Sequence, residues 1–316
     1  MSKYGREPLD LSGLKTMPIR ARGGKVGVQH FAKPHAGGSV SSLIDSLPTI
    51  LAADSLRAVI DAISQARAKK RMILWGLGGH VIKCGLAPVL LDLMHRGYAT
   101  AFALNGAAAI HDFEIAIVGQ TSEDVEAVLP DGRFGMAEET GREFNAALHA
   151  APDYGFGEAI GRYLEKITDP AFAASSLQHG AYRNGTPVTV HVAIGTDTPH
   201  GHPTARGEAI GRATHHDFRL LCTLVKDLNE GGVYLNVGSA VLLPEVFLKA
   251  VSIVRNLGNP LANFTTVNFD FLQHYRPRVN VVERPHARAG GHGYSITGHH
   301  EIMIPLLAAA LRERGQ

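Results

Sequence analysis

The chain has 316 residues, of which 45% are hydrophobic and 19% charged, a composition typical of a folded globular protein rather than a disordered one. Its formal net charge is only +2, and no basic stripe interleaved with aromatic residues is present, which argues against nucleic-acid binding. No apolar run approaches the length of a membrane span, and the first residues lack the apolar core of a signal peptide. We therefore expect a cytoplasmic protein that contacts neither nucleic acid nor membrane.

Residues 1–40 are rich in glycine, proline and basic residues and show no sustained periodicity. We interpret them as an irregular N-terminal arm, either partly disordered or wrapped over a neighbouring subunit. Residues 41–316 are predicted to form a single α/β nucleotide-binding domain, in which the segment 121–184 adds helical decoration.

The stretch Arg71–Val118 alternates short apolar runs with segments of helical periodicity. The apolar run Met72–Trp75 leads into glycines, and apolar residues then recur at helical spacing as far as Gly97. A second apolar run, Ala99–Leu104, is followed by an Asn-Gly pair and another helical segment. Strand, glycine turn and helix in this repeated order are typical of parallel strands joined by right-handed crossovers.

More strands of the same apolar character follow, and long helical patterns separate most of them. They are predicted at Pro187–Ile194, Gly232–Val237, Phe264–Phe269 and Val279–Glu283. The alternation of strands and helices predicts a three-layer α/β fold with a mostly parallel, Rossmann-like sheet.

Glycine, asparagine, aspartate and histidine residues follow these strands at the points where the strands end. The carboxyl ends of parallel strands meet at one edge of the sheet, where open α/β sheets bind ligands. Glycine lets the backbone approach a ligand there, and amides at helix N-termini can hold phosphate. No segment matches the Gly-x-Gly-x-x-Gly fingerprint in its usual setting, and no P-loop is present. These residues therefore do not identify the ligand.

In the order of its segments, roughly from residue 70 to residue 310, the chain resembles the deoxyhypusine synthase family. The segments that carry the resemblance are GLGGHVIKCGLAPVLLDLMHRGYATAFALNGA, IHDFE, TPVTVHVAIGTDTPHG, GVYLNVGSAV and IMIPLLAAAL. The resemblance implies a parallel-sheet NAD-binding fold and a homotetramer with sites at subunit interfaces. It also implies a set of residues that line the dinucleotide: Gly79, His80, Asn105, Gly106, Asp112, Asp197, Gly238 and Ser239.

The likeness fails at the segment that carries the family's reaction. That reaction runs through a lysine imine in a Trp-Gly-Lys segment near the C-terminus, whereas here the only tryptophan is Trp75 and the last lysine is Lys249. His202 and the pair His299-His300 stand where the family has carboxylates. Because imidazoles in place of carboxylates should not favour a cation, we reject deoxyhypusine synthesis itself and expect a small, polar, anionic substrate.

The leading hypothesis is an NAD-dependent oxidoreductase or transferase with His200, His202, His299 and Tyr294 as catalytic candidates. Tyr294 is either an acid–base hydroxyl or a loop anchor. His111 and Asp112 resemble an acid–base pair, but adjacent residues on a helix do not face each other, so only one should point into the site.

Two other hypotheses stay open. The His/Asp clusters suit a divalent metal in a hydrolase or lyase, although no pair has the His-Glu-x-x-His spacing and no residue is assigned as a metal ligand. Alternatively, the missing lysine marks a non-catalytic dinucleotide sensor. Cys84 and Cys222 lie in apolar helical patterns and are interpreted as buried thiols.

Overall fold

The computed structural model describes residues 3–315, and a six-stranded sheet lies at its centre. The strands are β1 (Ile73–Leu77), β2 (Ala101–Asn105), β3 (Val188–His191), β4 (Val233–Val237), β5 (Thr265–Asp270) and β6 (His292–Thr297). All neighbouring strands are parallel, in the spatial order β3-β2-β1-β4-β5-β6. The sheet therefore grows from β1 in one direction and from β4 in the other, with a switch point between them. The predicted three-layer, Rossmann-like architecture is confirmed.

Helices cover both faces of the sheet. They are α1 (Val40–Ser46), α2 (Leu51–Ala68), α3 (Gly79–Lys83), α4 (Ala87–His95), α5 (Gly106–Val118), α6 (Val125–Val128), α7 (Glu138–Ala150), α8 (Phe156–Ile167), α9 (Leu177–Asn184), α10 (Gly207–Lys226), α11 (Leu242–Asn256), α12 (Tyr275–Pro277) and α13 (His300–Arg314). Between residues 3 and 315, no helix combines the length and the apolar character that crossing a membrane requires.

Alternate residues of the central strands point into two separate cores. Trp75 of β1 packs in the larger core with α2, α4, α5 and α13, whereas Leu74 packs in the smaller core with α10 and α11. The Trp75 indole donates a hydrogen bond to the Tyr98 carbonyl oxygen at 3.0 Å, so its polar atom is satisfied inside the core. Burial on both faces explains why the central strands are wholly apolar.

The predicted strand Val279–Glu283 is wrong, because residues 278–283 continue the helical turns that begin in α12. The Thr266 hydroxyl of β5 donates to the Val281 carbonyl oxygen at 2.6 Å, so this apolar segment packs against the sheet as a helix. The sixth strand is β6, which lies at the edge of the sheet. Of its six residues only Ile296 is buried, and the others remain at least partly accessible to solvent.

From residue 3 to residue 39 the chain has two one-turn 3₁₀ helices, Ile19–Ala21 and Val28–His30, and is largely exposed. Backbone bonds from Lys33 to Ser46 and from Thr49 to His30 attach its end to the domain. Residues 1 and 2 of the predicted arm and residue 316 of the predicted domain lie outside the described residues. The division of the chain at residue 40 stays a prediction.

Asp217 of α10 is a buried carboxylate that joins β3 to α8. Its Oδ2 accepts hydrogen bonds from the amides of Val190 at 2.7 Å and Gly157 at 2.8 Å. Its Oδ1 is buried and has no hydrogen-bond partner within the described part of the chain. Burial disfavours the charged form and raises the pKa of Asp217 to about 7.

We expect an Asp217→Asn variant to lose a pH dependence of stability. Since the pKa rises from 3.8 to about 7 on folding, the folded state binds more protons in this window, and Asp217 lowers stability as the pH rises through it. Asparagine can keep its carbonyl oxygen at the Oδ2 position and both backbone bonds. The free energy of unfolding in urea should therefore differ less between pH 5 and pH 8 in the variant, by at most about 3 kcal/mol, since about two pH units below the folded pKa are crossed.

Asp217→Ala is the control for the hydrogen bonds themselves. It loses both acceptor contacts and should be less stable than the Asn variant at either pH, by about 1–3 kcal/mol. If wild type and Asp217→Asn have the same pH profile, Asp217 does not titrate in this window.

Candidate functional site

The turns after β1 and β4 touch one another through their backbones at the switch point. A Cβ atom at Gly78 would overlap the carbonyl oxygen of Gly238 and lie 3.0 Å from the Ser239 amide nitrogen. Gly238 itself has a φ of +69°, which favours glycine, and a Cβ there would be 2.9 Å from the His300 ring. No side chain other than hydrogen fits between the two turns.

The N-terminus of α5 lies at the same edge of the sheet. The Asn105 side chain caps this helix by accepting a hydrogen bond from the Ala108 amide at 2.9 Å. Gly106 packs directly against the Asp197 carboxylate, and a Cβ at Gly79 would lie 2.9 Å from that of Ala107. The sequence expectation that Gly79, Asn105, Asp197 and Gly238 share one rim agrees with the structure.

His80 and Ser239 also lie at this edge. The His80 ring is 5.8 Å from the ring of Phe271 and 5.7 Å from that of His300, measured between centroids. Ser239 is buried, and its hydroxyl accepts a hydrogen bond from the Leu243 amide at the start of α11.

Asp112 does not reach the rim, so its expected place in the cofactor site needs correction. Its buried carboxylate accepts hydrogen bonds from the amides of Leu177 at 2.6 Å and Gln178 at 2.8 Å, and from the Ser176 hydroxyl at 2.9 Å. These donors form the N-terminus of α9. Although burial raises the pKa of Asp112, the carboxylate is enclosed by protein donors and holds α9 against α5.

A cavity of about 530 Å³ opens beside the rim, between α5 and the loop that follows β3. Its charged wall residues are Lys83, His111, Glu114, Glu123, Glu139 and Asp197. Carboxylates thus outnumber cationic side chains, and an anion would meet net repulsion. The cavity does not suit the anionic substrate that the sequence predicted.

His111, Thr121 and Glu114 form a hydrogen-bonded chain in this wall. Thr121 Oγ1 lies 2.7 Å from His111 Nδ1 and donates its proton to Glu114 Oε2. Because the hydroxyl has one proton, it must accept from His111, which places the imidazole proton on Nδ1 and leaves Nε2 as the basic nitrogen. Burial opposes ionisation of Glu114, but the nearby His111 imidazole and hydrogen bonds from Thr121 and Thr140 lower its pKa overall, so it is a carboxylate.

Asp197 is the second titratable group between cavity and rim. Its Oδ2 is buried and has no hydrogen-bond partner in the described structure. Burial raises the pKa of Asp197 to about 6, so both protonation states are accessible near neutral pH. A carboxyl group with such a pKa can exchange protons with a ligand.

The four catalytic candidates are not brought together. The His200 ring accepts a bond from the Gly195 amide within its own loop, and His202 contacts Thr204 and, on α7, Glu138. His299 precedes α13, and its ring stacks on Phe271 at a centroid distance of 6.0 Å.

The prediction that Tyr294 lies in a loop at the rim is wrong. It is the third residue of β6, paired with Val267 in the middle of β5. Because β6 begins at His292, the carboxyl edge is reached only at Thr297.

The sequence analysis did not predict the hydrogen-bonded trio of His111, Thr121 and Glu114. The sequence indicates only that His111 and Glu114, three residues apart, share a helix face, whereas Thr121 lies beyond the end of α5.

Several solved structures have similar folds. A protein named as LOR/SDH from Methanococcus maripaludis S2 has a TM-score of 0.54 at 15% identity, over 84% of this chain and 71% of that one. A protein named as deoxyhypusine synthase from Entamoeba histolytica has a TM-score of 0.51 at 12% identity, over 87% and 93%. This chain has the deoxyhypusine synthase fold. The fold that the sequence resemblance implied is thereby confirmed.

Unliganded AgrE also matches, with a TM-score of 0.54 at 17% identity over 82% of this chain, but the match spans only 32% of AgrE. No protein-family model and no curated protein sequence matches the chain. At these identities the similarity describes the fold and leaves the activity open.

A Gly78→Ala variant should be destabilised by about 1–3 kcal/mol, because the new methyl group meets backbone atoms that cannot rotate away. Chemical denaturation measures this. Gly201→Ala is the matched control in the loop after β3, since no heavy atom lies within 4 Å of its Cβ position, and we expect a change below about 0.5 kcal/mol. Equal losses in the two variants would contradict the contact between the turns.

Proposed function

We propose that this chain is an NAD-dependent enzyme that binds the dinucleotide at the switch point between β1 and β4 and a small polar substrate in the adjoining cavity. The observation that carries the proposal is the strand order β3-β2-β1-β4-β5-β6 with side-chain-free turns at Gly78 and Gly238. Doubly wound sheets of this order bind dinucleotides in that crevice. The likeness to the deoxyhypusine synthase fold supports the same cofactor.

The residues at the switch point fit a dinucleotide. Gly79, Gly106 and Gly238 leave the backbone accessible, and α5 and α11 both begin at this edge with the positive ends of their dipoles towards it. Asn105, Ser239 and His80 supply polar groups beside these turns. We assign the glycines and helix N-termini to the phosphates of the cofactor.

When bound, NAD supplies a hydride acceptor. A substrate that gives up a hydride from carbon must also lose a proton from its nitrogen or oxygen, and His111 Nε2 is the base proposed to take it. Glu114 holds the imidazole through Thr121 and stabilises the positive charge that the ring gains. Asp197, at the boundary between cavity and rim, would bind the substrate or exchange a second proton.

The charge of the cavity limits the substrate. Glu123, Glu139 and Asp197 line it with Glu114, and Lys83 is the cation among these wall residues. We therefore propose a substrate with an amino group, accompanied by hydroxyl groups or a short carbon chain that the apolar wall residues Ile110, Ile117 and Phe134 can contact. We further propose a homotetramer with a cytoplasmic location, and a transferase reaction as the alternative to an oxidoreductase reaction.

Cofactor binding is tested by thermal unfolding with NAD and with NADH. A ligand at 100 times its Kd adds about 2.7 kcal/mol to the stability, so Tm should rise by a few degrees with at least one form. Gly238→Ala should abolish this shift, because its methyl group meets the His300 ring and strains a turn with a φ of +69° beside the switch point, whereas Gly201→Ala should retain it. If millimolar NAD and NADH both leave the wild-type Tm unchanged, the proposal fails.

The proton-transfer assignment is tested by turnover of a panel of small amines, followed by NADH formation. His111→Gln should lower kcat about 10²–10⁴-fold without weakening NAD binding. Thr121→Val should lower kcat less and alter its pH dependence, because the ring keeps its basic nitrogen but loses its orientation and its link to Glu114. His200→Gln is the matched control, since its ring bonds within its own loop. Equal activity of His111→Gln and His200→Gln would exclude His111 as the base.

A further inference from the structure

Outside the cavity, the described residues bring three side chains with metal-binding atoms together above the switch point. His80 in α3 and Cys84 at its C-terminus are four residues apart and so lie on one side of the helical turn. Glu301 comes from the first turn of α13. One ligand atom from each residue lies within 4.8 Å of the other two. Cys84 is only half-buried, as is Cys222, so the reading of both as buried thiols was wrong.

We propose that His80, Cys84 and Glu301 bind a divalent transition-metal ion of the zinc type. Zinc lies about 2.0–2.3 Å from such ligand atoms, so tetrahedral ligand atoms are roughly 3.3–3.8 Å apart. Cys84 Sγ and Glu301 Oε2 are 3.7 Å apart, within this range. The limit of 4.8 Å on the remaining separations leaves at most about 1.5 Å to be closed by side-chain rotation.

The chemistry of the three ligands selects the class of metal. Calcium and magnesium take oxygen ligands, whereas a thiol and an imidazole beside one carboxylate suit zinc, cobalt or iron. On binding, the metal–sulfur bond forms as the sulfur–hydrogen bond of Cys84 breaks, and one proton leaves to solvent. The carboxylate of Glu301 and the imidazole of His80 bind in their deprotonated forms.

Neighbouring rings hold His80 in place. The rings of Phe271 and His300 pack against the His80 ring at centroid distances of 5.8 and 5.7 Å. His300 is buried and also lies against Gly238, so it connects the three ligands with the switch point. His299 Nδ1 lies 3.9 Å from Glu301 Oε1 and can orient that carboxylate.

The site provides three protein ligands and is open to solvent at His80 and Glu301. Structural zinc sites have four protein ligands, whereas catalytic ones have three and keep one position for water or substrate. The arrangement therefore resembles a site that presents a metal-bound water or binds a ligand oxygen, and not one that stabilises the fold.

Cobalt(II) is the probe for this site, because its thiolate charge-transfer absorption reports a metal–sulfur bond. Full-length protein stripped with a chelator should bind one Co²⁺ per chain with this absorption, and the thiol should release one proton as Co²⁺ binds. Zn²⁺ should then displace Co²⁺ and remove the absorption, with no further proton released. Cys84→Ser should lose the absorption, and His80→Gln and Glu301→Gln should each weaken binding by about 10-fold or more. None of these measurements needs NAD or turnover, so their failure is distinct from failure of the proposed function.

Cys222→Ser is the matched control, since Cys222 is equally half-buried but lies on α10 in the smaller core. It should retain the Co²⁺ absorption in full. The proposal is overturned if wild type gives no absorption at millimolar Co²⁺, or if Cys84→Ser keeps it. If Cys84→Ser fails to fold, the His80→Gln variant tests the proposal. An unchanged affinity of that variant for Co²⁺ would show that His80 does not bind the metal and would overturn the proposed site.

Discussion

The backbone contact between Gly78 and Gly238 is the constraint on which the rest of the site depends. The two halves of the sheet are built outward from β1 and β4, and they meet where these turns follow the strands. Because no Cβ fits between the turns, the carboxyl ends of the strands approach closely and α3, α5 and α11 begin within one short edge. A side chain at Gly78 would separate the two turns and the polar residues that they carry, and one at Gly238 would meet the His300 ring.

The buried carboxylates of this chain divide into two kinds by the donors that surround them. Asp112 and Asp217 each accept hydrogen bonds from two backbone amides, and they fix α9, α8 and β3 in place. Glu114 is bonded only by side chains, and Asp197 Oδ2 has no partner among the described residues. Asp217 also has one oxygen without a hydrogen-bond partner, but two backbone amides fix its other oxygen. The side-chain donors of Glu114 can move, and Asp197 lines the cavity, so these two carboxylates can respond to a ligand while the other two maintain the scaffold.

The first five strands could be predicted because they are buried on both faces and so are short apolar runs. The signal fails at β6, whose residues are mostly accessible at the sheet edge, and Val279–Glu283 imitated a strand because its apolar residues pack on β5 from a helix. Residues next to strand ends could likewise be assigned to the rim. Which of His111 and Asp112 faces the cavity depends on the rotation of α5, and the contact with Thr121 depends on a loop, neither of which a periodic pattern specifies.

The histidines at family carboxylate positions predicted an anionic substrate, whereas the charge of the cavity argues against one. His202 bonds to Thr204 and Glu138 away from the cavity wall, and His299 lies beyond β5 beside Phe271. The carboxylates that do line the cavity come from α5, from the segment before α6, from the first turn of α7 and from the loop after β3. Apart from Asp197, the resemblance gave none of them a role in the site. Exchanging residues at matched positions changes the ligand only where those residues still face it, so the charge of the whole wall is the better guide to the substrate.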